Sequence, residues 1–430
     1  MSALPAWQAA ALGDTLEALR AQHLLRHRRT VEVTGGDAGA AQEATLASAG
    51  PVCRVDGVEL VNFCSNDYLG LAQHPSLRGA MADAAQRYGV GSGASHLVTG
   101  HHPEHSRLEE VLAAYTHREA ALLFSTGYMA NLAIAQVLVG RGARPGHTEA
   151  GTVLSDQLNH ASLIDGARLA GGRILRYAHA DAAAAEQALA QAQGPRQGHP
   201  ASPTVLVTDG LFSMDGDVAP VNELAAACAR HEAWLAVDDA HGLGVSGATG
   251  RGTLEAAGLL GEPDAVPVLM GTLGKAFGAF GAFIAGRREV VELFRQRARS
   301  YIFTTALPPA VAAAARAGLR LADAEPERRA HLNSLIARFR HEVAGLGLAG
   351  ELLPSTSPIQ PLVLGRPEAA LAVSAALQAR GLLVGAIRPP TVPVGSARLR
   401  ITFSAAHTHA QLDQLLDGLA AVLPRSGLAA

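Results

Sequence analysis

The sequence predicts an α/β protein with a mostly parallel central sheet, helices on both of its faces and a smaller C-terminal α+β domain. From about residue 58, short β-rich runs alternate with stretches rich in alanine and leucine, which is the pattern of βαβ units. Several predicted strands are followed at once by polar residues, and ligands of open α/β sheets gather at the carboxyl ends of strands. A composition break at Pro308-Pro309 marks the expected start of the smaller domain.

The elements follow in order. Residues 1–57 are predicted to form an N-terminal helical arm, because Leu12, Leu16 and Leu19 recur at helical spacing. The large domain is predicted over 58–309 and the small domain over 310–430. The clearest strands of the large domain are expected at 152–155, 173–177, 204–208, 234–237, 266–270 and 281–285. An exposed loop is expected at 191–203. The small domain is expected to contain helices at 310–324 and 409–423 and strands at 359–364 and 399–403.

Composition narrows the class of protein. The chain has 430 residues, 48% of them hydrophobic and 17% charged, with a net charge of -3, which fits a large globular protein and not a disordered chain. No basic face for nucleic acid and no apolar run long enough to cross a bilayer is visible. Cys53, Cys64 and Cys228 follow neither disulfide nor zinc spacing, and the N-terminus lacks a signal-peptide pattern, so a cytoplasmic location is expected.

Lys275 is the first candidate for chemistry, because its amine stands in an apolar, glycine-flanked segment, residues 269–278. Desolvation lowers the pKa of an ammonium group and makes the free amine available to a carbonyl cofactor. The alternative is that Lys275 has no chemical role and lies at a strand end, from which its ammonium group reaches solvent. On this segment alone, both explanations stay open.

A second candidate group follows the strand predicted at 234–237, which ends in Asp238, Asp239 and, two residues later, His241. A carboxylate at a buried strand end can hold the proton on a pyridinium nitrogen, and His241 could donate to the phenolic oxygen of the same ring. The alternatives are a pair of metal ligands or a helix N-cap, for which Asp239 is suited.

Three further strand ends carry polar groups. His160 follows the strand at 152–155, where an imidazole can stack on a flat cofactor, although such a histidine is often structural. Gly127 and Tyr128 lie where a strand turns into a helix, whose N-terminus is a site for phosphate. Thr272 could add a hydroxyl group to that phosphate site, and Ser213 lies at another strand end.

Two other motifs are weaker. The glycine-rich residues 89–93 imitate a dinucleotide-binding loop, but they follow a predicted helix where that motif requires a strand. His101, His102 and His105 could bind a metal ion, yet no carboxylate or cysteine completes a recognisable ligand set. We therefore predict neither a dinucleotide site nor a metal site.

Taken together, these segments resemble the fold-type I pyridoxal-phosphate (PLP) enzymes, the aspartate-aminotransferase-like transferases. Within that group the chain is similar to the α-oxoamine synthases over nearly its whole length, from residues 62–71 to residues 405–407. Members of this family condense a small amino acid with an acyl thioester and release carbon dioxide. The resemblance implies PLP as cofactor, C-acyl transfer, and a homodimer with shared active sites in which Thr304 or Thr305 reaches the neighbouring subunit's phosphate.

The resemblance also implies roles for single residues. Lys275 would bind the cofactor covalently, Asp238 would contact its pyridine nitrogen, and His160 would stack on its ring. The other residues implied to hold the cofactor are Gly127, Tyr128, Ser213, His241 and Thr272. The residues implied to contact substrate are Arg26, Asn66, His160, Thr391 and Arg400. Arg400 is the arginine expected to bind the amino-acid carboxylate in a two-pronged contact.

Two segments, residues 237–242 and 386–395, favour the branch of the family that joins L-alanine to a pimeloyl thioester in biotin biosynthesis. The acyl carrier is coenzyme A (CoA) or acyl carrier protein, and the sequence leaves both open. The alternatives are a glycine-using sister enzyme such as 2-amino-3-oxobutyrate CoA ligase and a non-catalytic PLP-binding homologue.

The chain departs from the family pattern at two residues. Asp209 stands where glutamate is frequent, and His96 stands where arginine is usual. These departures are expected to affect the substrate loop and not the cofactor site. The segment around residues 144–151 is expected to be a slightly extended surface loop.

Overall fold

The computed structural model describes residues 4–22, 24–26, 28–33, 51–143, 149–192, 203–347 and 352–423. Contacts between Cα atoms divide the chain into two compact units. The larger unit is Asn66–Ser334 with Thr356–Pro358, and the smaller unit is Met1–Ser65, Leu335–Ser355 and Ile359–Ala430. The domain boundaries predicted after residues 57 and 309 stay predictions, because these units are a different partition of the chain.

Helices and strands alternate regularly from β4 to β9, and less regularly in the rest of the described chain. The helices are α1 (Ala6–Ala21), α2 (Pro75–Tyr88), α3 (Pro103–Tyr115), α4 (Gly127–Val139), α5 (Ala161–Ala170), α6 (Ala182–Ala192), α7 (Val221–Arg230), α8 (Thr253–Ala256), α9 (Arg288–Arg297), α10 (Arg299–Ile302), α11 (Pro309–Ala324), α12 (Glu327–Gly345), α13 (Pro367–Gln378) and α14 (His409–Val422). The strands are β1 (Val31–Val33), β2 (Val52–Val55), β3 (Val58–Asn62), β4 (Ala120–Phe124), β5 (Thr152–Asp156), β6 (Arg173–Tyr177), β7 (Thr204–Asp209), β8 (Trp234–Asp238), β9 (Val268–Thr272), β10 (Ala282–Gly286), β11 (Ile359–Gly365), β12 (Leu382–Leu383), β13 (Gly385–Ile387) and β14 (Ala397–Thr402). One turn of π-helix covers His96–Gly100.

The larger unit contains a seven-stranded sheet in the order β4-β10-β9-β8-β7-β5-β6. The pairs from β9 to β6 are parallel, whereas β10 runs antiparallel to both β4 and β9. The mostly parallel sheet is therefore confirmed. The reversed direction of β10 was not predicted, because an apolar run carries no sign of direction. It follows from the short connection between β9 and β10, since adjacent strands joined by a short loop pair antiparallel.

Both faces of this sheet are buried under helices. Val205 and Val207 of β7 join an apolar cluster with α4, α5 and α9, while Leu206 joins the opposite cluster with α6 and α7. Alternation of side chains along a strand places neighbours on opposite faces. The prediction of helices on both faces is thus confirmed.

The strand bounds differ most from the prediction at β9 and β10, whereas β5, β7 and β8 each end one residue later than predicted. β9 begins at Val268 and not at 266, since Pro267 has no N–H group to donate to a neighbouring strand. β10 covers Ala282–Gly286, one residue later than predicted, because Gly286 still pairs with Ala120 of β4. In the loop predicted at 191–203, residues 193–202 lie outside the described residues, as do residues 144–148 of the loop predicted around 144–151.

The smaller unit has two sheets, β11-β14-β13 and β1-β2-β3-β12. Phe63, which follows β3, stacks on His407 with ring centroids 4.2 Å apart and contacts the edge of Phe403. α14 begins with a capping box in which Thr408 and Gln411 bond each other's main-chain N–H groups. The strands predicted at 359–364 and 399–403 and the helix predicted at 409–423 are present within two residues at each end, whereas the helix predicted at 310–324 is present as α11 and belongs to the larger unit.

The predicted N-terminal helix is present as α1, but its leucine stripe is not buried. Leu12 is 52% exposed and Leu16 is 40% exposed. The part of the predicted arm at residues 34–50 lies outside the described residues. Across the described ranges, no helix combines the length and the apolar character needed to cross a membrane.

Candidate active site

A cavity of about 180 Å³ lies in the larger unit, beside the carboxyl ends of β7, β8 and β9. These three strands end at Asp209, Asp238 and Thr272, and all three residues line the cavity. The other lining residues are Gly127, Tyr128, Asn131, His160, Ser162, Ala240, His241, Met270 and Lys275. Residues from distant parts of the sequence, which were predicted separately, therefore meet at one edge of the sheet.

Asp238 is buried at the end of β8, with 4% of its surface exposed. Its Oδ2 accepts a hydrogen bond from Nδ2 of Asn131 at 2.6 Å, and its Oδ1 accepts one from the N–H group of Ala240 at 3.0 Å. A buried carboxylate needs such donors, because desolvation of an unpaired charge is costly. Both donors are neutral, so the negative charge of Asp238 is oriented by them and not neutralised.

A chain of hydrogen bonds links Asp238 to His160. Nδ2 of Asn131 also donates to Oγ of Ser162 at 2.8 Å, and that hydroxyl group lies 2.6 Å from Nδ1 of His160. Since the N–H group of Ser162 donates to the same Nδ1, this nitrogen is the acceptor and the ring carries its hydrogen on Nε2. The imidazole is thus fixed in both position and tautomer.

His160 has two roles in the structure. It caps the N-terminus of α5, and its own N–H group donates to Oδ2 of Asp209 at 2.7 Å. Burial, followed by the positive charge of Lys275, lowers the pKa of His160 against the opposing effect of Asp238. A neutral ring results, which can lie flat against another ring, so the structural and the cofactor-binding explanations are compatible.

Lys275 lies in the loop that joins β9 to β10. The loop is closed by main-chain bonds from Leu273 to Gly281 and from Ala279 to Leu273, each 2.9 Å long. Leu273 and Ala276 on either side of Lys275 are buried, whereas the lysine itself is half-buried and lines the cavity. The segment therefore holds the amine against the cavity through its apolar neighbours.

Gly127 is the first residue of α4, and its small size is required by a close neighbour. A Cβ atom at Gly127 would lie 2.7 Å from Cγ2 of Thr272. The N-terminal N–H groups of a helix have no acceptor within the helix and attract anions. Here Thr126 accepts a bond from the N–H group of Met129 at 3.2 Å, and the hydroxyl group of Thr272 donates to the carbonyl of Ala240 at 3.4 Å. Tyr128 is 45% exposed and donates to Asp165.

His241 is held by a tyrosine from a distant part of the sequence. The hydroxyl group of Tyr68, which is fully buried, lies 2.7 Å from Nδ1 of His241 and donates to Oδ1 of Asn66 at 3.3 Å. The Tyr68 hydroxyl group and Nδ1 of His241 are therefore hydrogen-bonded to each other. The predicted residue Asn66 is thereby connected to His241.

Ser213 is not among the described residues that line the cavity. It lies half-buried in the turn after β7, which is closed by the bond from the N–H group of Phe212 to the carbonyl of Asp217 at 2.9 Å. Its predicted contact with the cofactor stays a prediction.

The predicted substrate residues Arg26, Thr391 and Arg400 belong to the smaller unit. Nη2 of Arg26 donates to Oγ1 of Thr391 at 3.2 Å, so residues that are 365 positions apart in sequence meet. These two residues line a cavity of about 360 Å³ with the segment at 386–389. Arg400 lies on the central strand of the β11-β14-β13 sheet and is 7% exposed.

The larger-unit cavity fits a flat, phosphate-bearing cation with an aldehyde group. The buried Asp238 carboxylate, which has only neutral donors, would gain a cationic partner in a protonated ring nitrogen. Gly127, at the N-terminus of α4, and Thr272 line the same cavity, and helix N–H groups and a hydroxyl group are donors for phosphate. Lys275 supplies an amine in the same cavity. These donor types match PLP.

Comparison with known proteins gives the family. The model of the class I and II aminotransferases matches residues 58–419. The 8-amino-7-oxononanoate synthase of Methylococcus capsulatus is 57% identical over 371 residues, which cover 86% of this chain and 91% of that protein. The chain belongs to the 8-amino-7-oxononanoate synthase family.

Solved structures agree with this family. A serine palmitoyltransferase from S. paucimobilis with a bound PLP–myriocin aldimine has a TM-score of 0.82 at 28% identity, with 96% of each chain covered. The 8-amino-7-oxononanoate synthase of Francisella tularensis has a TM-score of 0.68 at 29% identity, with 84% of this chain and 97% of that chain covered. The fold-type I architecture, the PLP cofactor and an acyl-transferring enzyme of biotin biosynthesis, all predicted from the sequence, are confirmed.

Within the 8-amino-7-oxononanoate synthase site, sequence reasoning missed Asn131, Ser162 and Tyr68. Asn131 follows Gly127 by four residues, so both lie on one face of α4, and that spacing was the available signal. Ser162 stands two residues after His160, within reach of a capping histidine. Tyr68 had no local signal, because its contact with His241 spans 173 residues.

Asp209 corrects one expectation. It was predicted to affect the substrate loop and not the cofactor site, yet it lines the cavity with Lys275 because β7 lies next to β8 in the sheet. Burial and then the neighbouring Asp238 carboxylate raise the pKa of Asp209 well above its ordinary value. The other departure, His96, is buried and stacks on Tyr301 with ring centroids 5.0 Å apart.

The histidine cluster differs in membership from the prediction. Ring nitrogens of three histidines lie within 4.8 Å of one another: those of His96, His101 and His105. The cluster therefore includes His96, which was not predicted, and does not include His102. His105 accepts a bond from the N–H group of His102 at Nδ1 and donates from Nε2 to the carbonyl of Leu307 at 2.6 Å. Both ring nitrogens of His105 are therefore used by the main chain. The absence of a metal site stays a prediction.

Proposed function

We propose that the cavity at the ends of β7, β8 and β9 condenses L-alanine with a pimeloyl thioester to give 8-amino-7-oxononanoate, carbon dioxide and a free thiol. The observation that carries this proposal is that Lys275, Asp238 and His160 line one cavity. The name shared by the curated relatives supports the product. Two segments, 237–242 and 386–395, support alanine over glycine as the amino-acid substrate.

In this proposal two parts of the cavity hold the cofactor, one at its ring nitrogen and one at its phosphate. Asp238 would hold the proton on the ring nitrogen, and the N-terminus of α4 at Gly127 and Tyr128, with Thr272, would hold the phosphate. When bound, PLP supplies an aldehyde for amines and an electron-withdrawing ring. Asn131 orients the Asp238 carboxylate, so that its charge points at one place without reorganisation.

Lys275 would bind the cofactor covalently and, once L-alanine displaces it, take the proton from the α-carbon of the substrate on Nζ. Lys275 lines the cavity between the buried residues Leu273 and Ala276, and the neutral amine is the form that this step needs. The same Nζ would return a proton to the product before the covalent bond with the cofactor re-forms.

The two histidines would shape the site around the reacting carbon. His160, which is neutral and fixed through Ser162, would cover one ring face and exclude water. Since Nδ1 of His241 is bonded to Tyr68, a contact with the phenolic oxygen of the ring would be made through Nε2. Ser213 would contact the same surroundings, and Asn66 would lie near the reacting centre.

Substrate contacts are proposed for three residues of the smaller unit. Arg400 would bind the alanine carboxylate, since a guanidinium group matches a carboxylate in a two-pronged contact and this arginine is already desolvated on its strand. Arg26 and Thr391, which bond each other, would contact the acyl substrate. Either coenzyme A or acyl carrier protein would carry that acyl group.

We further propose a homodimer with shared active sites in the cytoplasm. Val98 of the π-helix turn and Phe303, the residue after α10, are 74% and 71% exposed, and the π-helix turn contacts α10. Exposed apolar side chains on neighbouring elements support a protein interface, beside which Thr304 or Thr305 would reach the partner's phosphate. Cys53, Cys64 and Cys228 are free, which supports a reducing compartment. Light scattering of the purified holoenzyme gives the oligomeric state, and a monomer would contradict the shared site.

A product assay tests the proposed reaction. The holoenzyme is mixed with L-alanine or glycine and with pimeloyl-CoA, pimeloyl-acyl carrier protein or acetyl-CoA, and the products are identified by mass spectrometry. Alanine with a pimeloyl thioester is expected to give 8-amino-7-oxononanoate, and the better carrier is read from kcat/KM. Product from glycine and acetyl-CoA alone would instead indicate the glycine-using sister enzyme.

Borohydride reduction followed by peptide mapping tests the lysine. We expect a cofactor label on Lys275 and a Lys275→Ala variant without label or product. Because Lys275 is the only lysine in the sequence, a holoenzyme that holds PLP but shows no label on the peptide containing Lys275 would refute the assignment. Protein that takes up no PLP at all would favour the non-catalytic homologue.

A further inference from the structure

Asp239 follows the cofactor carboxylate Asp238 in sequence, but its side chain is buried among main-chain segments and not in the cavity. It is 0% exposed, and its Oδ2 accepts a hydrogen bond from the N–H group of Thr253 at 2.8 Å. Thr253 is the first residue of α8. The carboxylate therefore ties the end of β8 to the start of a helix 14 residues further along the chain.

Three glycines surround this carboxylate so closely that none could carry a side chain. A Cβ atom would lie 2.9 Å from Oδ1 at Gly210, 2.1 Å from Oδ1 at Gly242 and 1.9 Å from Oδ2 at Gly252. Real Cβ atoms do not approach so closely, so the carboxylate fills a niche walled by main chain. Each glycine belongs to a different segment: the turn after β7, the turn after His241, and the entry to α8.

The main chain at Asp239 is fixed as well. Its N–H group donates to the carbonyl of Met270 on β9 at 2.9 Å, and its carbonyl accepts bonds from the N–H groups of Gly242 and Leu243 at 3.2 and 3.0 Å. These last two bonds close the turn that carries His241. Alongside, the N–H group of Gly210 donates to the carbonyl of Asp238 at 2.7 Å, which joins the turn of Ser213 to the same point.

Burying a carboxyl group in this niche costs free energy of folding. Stability alone therefore does not explain why an aspartate is found here. Burial raises the pKa of Asp239 to about 7, against the lowering effect of its hydrogen bonds from Thr253, and the like charge of Asp238 adds to the increase. A small apolar residue would avoid this cost, although it would leave the Thr253 N–H group without its acceptor. The geometry of the turn is what the carboxylate supplies.

We propose that Asp239 is a positioning residue that holds the turn of His241 and the turn of Ser213 in register with the cofactor cavity. It contacts neither the cofactor nor substrate itself. It acts through Gly242, which follows His241, and through Gly210, which precedes Ser213 by three residues. The inference rests on the proposed role of His241 in the cofactor site.

The test compares three substitutions at this position. Asp239→Asn keeps the shape and an oxygen acceptor for the Thr253 N–H group, Asp239→Ala removes the acceptor, and Asp239→Glu is too long for the niche. We expect kcat per bound cofactor to fall at least tenfold in the alanine and glutamate variants. The asparagine variant is expected to stay within threefold of the wild type.

A matched control separates positioning from simple stability. Glu255 also accepts main-chain N–H bonds in this region, from Thr249 at 2.9 Å and Arg251 at 2.8 Å, but it contacts the loop away from His241. Glu255→Ala is expected to lower the melting temperature and leave the absorbance of the bound cofactor and its pH dependence as in the wild type. Asp239→Ala is expected to shift both.

A readout without cofactor completes the test. Hydrogen–deuterium exchange of the apoprotein is expected to rise at least fivefold in peptides covering residues 240–253 in Asp239→Ala, and not in Asp239→Asn. Unchanged exchange there, or normal absorbance and kcat in Asp239→Ala, would overturn the positioning role. His241→Phe is measured in parallel: if it leaves the cofactor absorbance unchanged, the assignment of His241 fails, whatever the exchange shows at Asp239.

Discussion

Nδ2 of Asn131 lies 2.6 Å from Oδ2 of Asp238 and 2.8 Å from Oγ of Ser162. One amide thus orients the carboxylate at the end of β8 and, through Ser162, the imidazole of His160. Because Asn131 is on α4 and His160 is at the start of α5, this amide also couples two helices that pack against each other.

The first prediction concerns this amide. Asn131→Ala leaves the buried Asp238 carboxylate without one of its donors, which costs about 1–3 kcal/mol of stability. We expect kcat to fall roughly tenfold, because the carboxylate loses its fixed direction. Urea unfolding and steady-state kinetics measure the two effects. Ser162→Ala removes the link to His160 alone, so a loss of kcat in Ser162→Ala equal to that in Asn131→Ala would contradict a separate role for the bond to Asp238.

The bond between Tyr68 and His241 gives the second prediction. Tyr68→Phe removes the 2.7 Å contact and is expected to cost about 0.5–1.5 kcal/mol and to change the pH dependence of the bound cofactor's absorbance. Tyr115→Phe is the matched control, because the Tyr115 hydroxyl group is also buried and donates to the carbonyl of Gly250. The control is expected to lose stability with an unchanged absorbance spectrum. Equal spectra in both variants would show that Tyr68 does not act on the site.

The close approach of Gly127 to Thr272 gives the third prediction. Gly127→Ala places a Cβ atom 2.7 Å from Cγ2 of Thr272, and overpacking of this kind costs about 1–3 kcal/mol. We expect the affinity for PLP to fall at least tenfold in an absorbance titration of the apoprotein. The double variant Gly127→Ala with Thr272→Ser removes Cγ2 and keeps the hydroxyl group, so it is expected to regain most of the affinity. If the double variant regains no affinity for PLP, the contact with Cγ2 of Thr272 is not the cause of the loss.

The fourth prediction is a pH dependence of stability. Although burial alone lowers the pKa of His179, its bonds to Asp156 at 3.0 Å and Asp217 at 2.8 Å outweigh this effect and raise the pKa to about 10. A raised pKa means that the contribution is complete below the unfolded value of 6.5 and is lost as the pH rises towards 10. The free energy of unfolding is expected to fall over this range, by at most about 1.4 kcal/mol per pH unit.

Urea unfolding between pH 6 and pH 10 measures this dependence. His179→Gln keeps the polar side chain but cannot carry the charge, so its unfolding free energy is expected to vary less over the same range. Equal pH dependence in His179→Gln and the wild type would show that His179 is not the group responsible.

The sheet and most of its strands could be predicted because their signals are local. Apolar runs at β5, β7 and β8 are bounded by turn residues, and each ends in a polar group that marks the carboxyl edge. The direction of β10 and the side chains that support Asp238 could not be predicted in this way. The Asn131–Asp238 bond spans 107 residues, and only the packing of α4 against the sheet brings the two groups together.

The residues that would act directly on the cofactor were easier to predict than those that support them. Lys275 and Asp238 are unusual in their apolar segments, so each departs from its local pattern. Asn131, Ser162 and Asp239 do not, because an asparagine in a helix, a serine at a helix start and an acid before a turn are ordinary. Their importance comes from partners that are distant in sequence.

The short connection between β9 and β10 also bears on how the site assembles. The loop of Lys275 closes through contacts between residues fewer than ten positions apart, such as Leu273 with Gly281. Local contacts of this kind form quickly during folding, whereas pairings across a hundred residues form late. During synthesis or refolding, the lysine segment is therefore expected to be shaped before the carboxylate and imidazole arrive opposite it. Uptake of the cofactor should then be among the last events, and should report completion of the whole sheet.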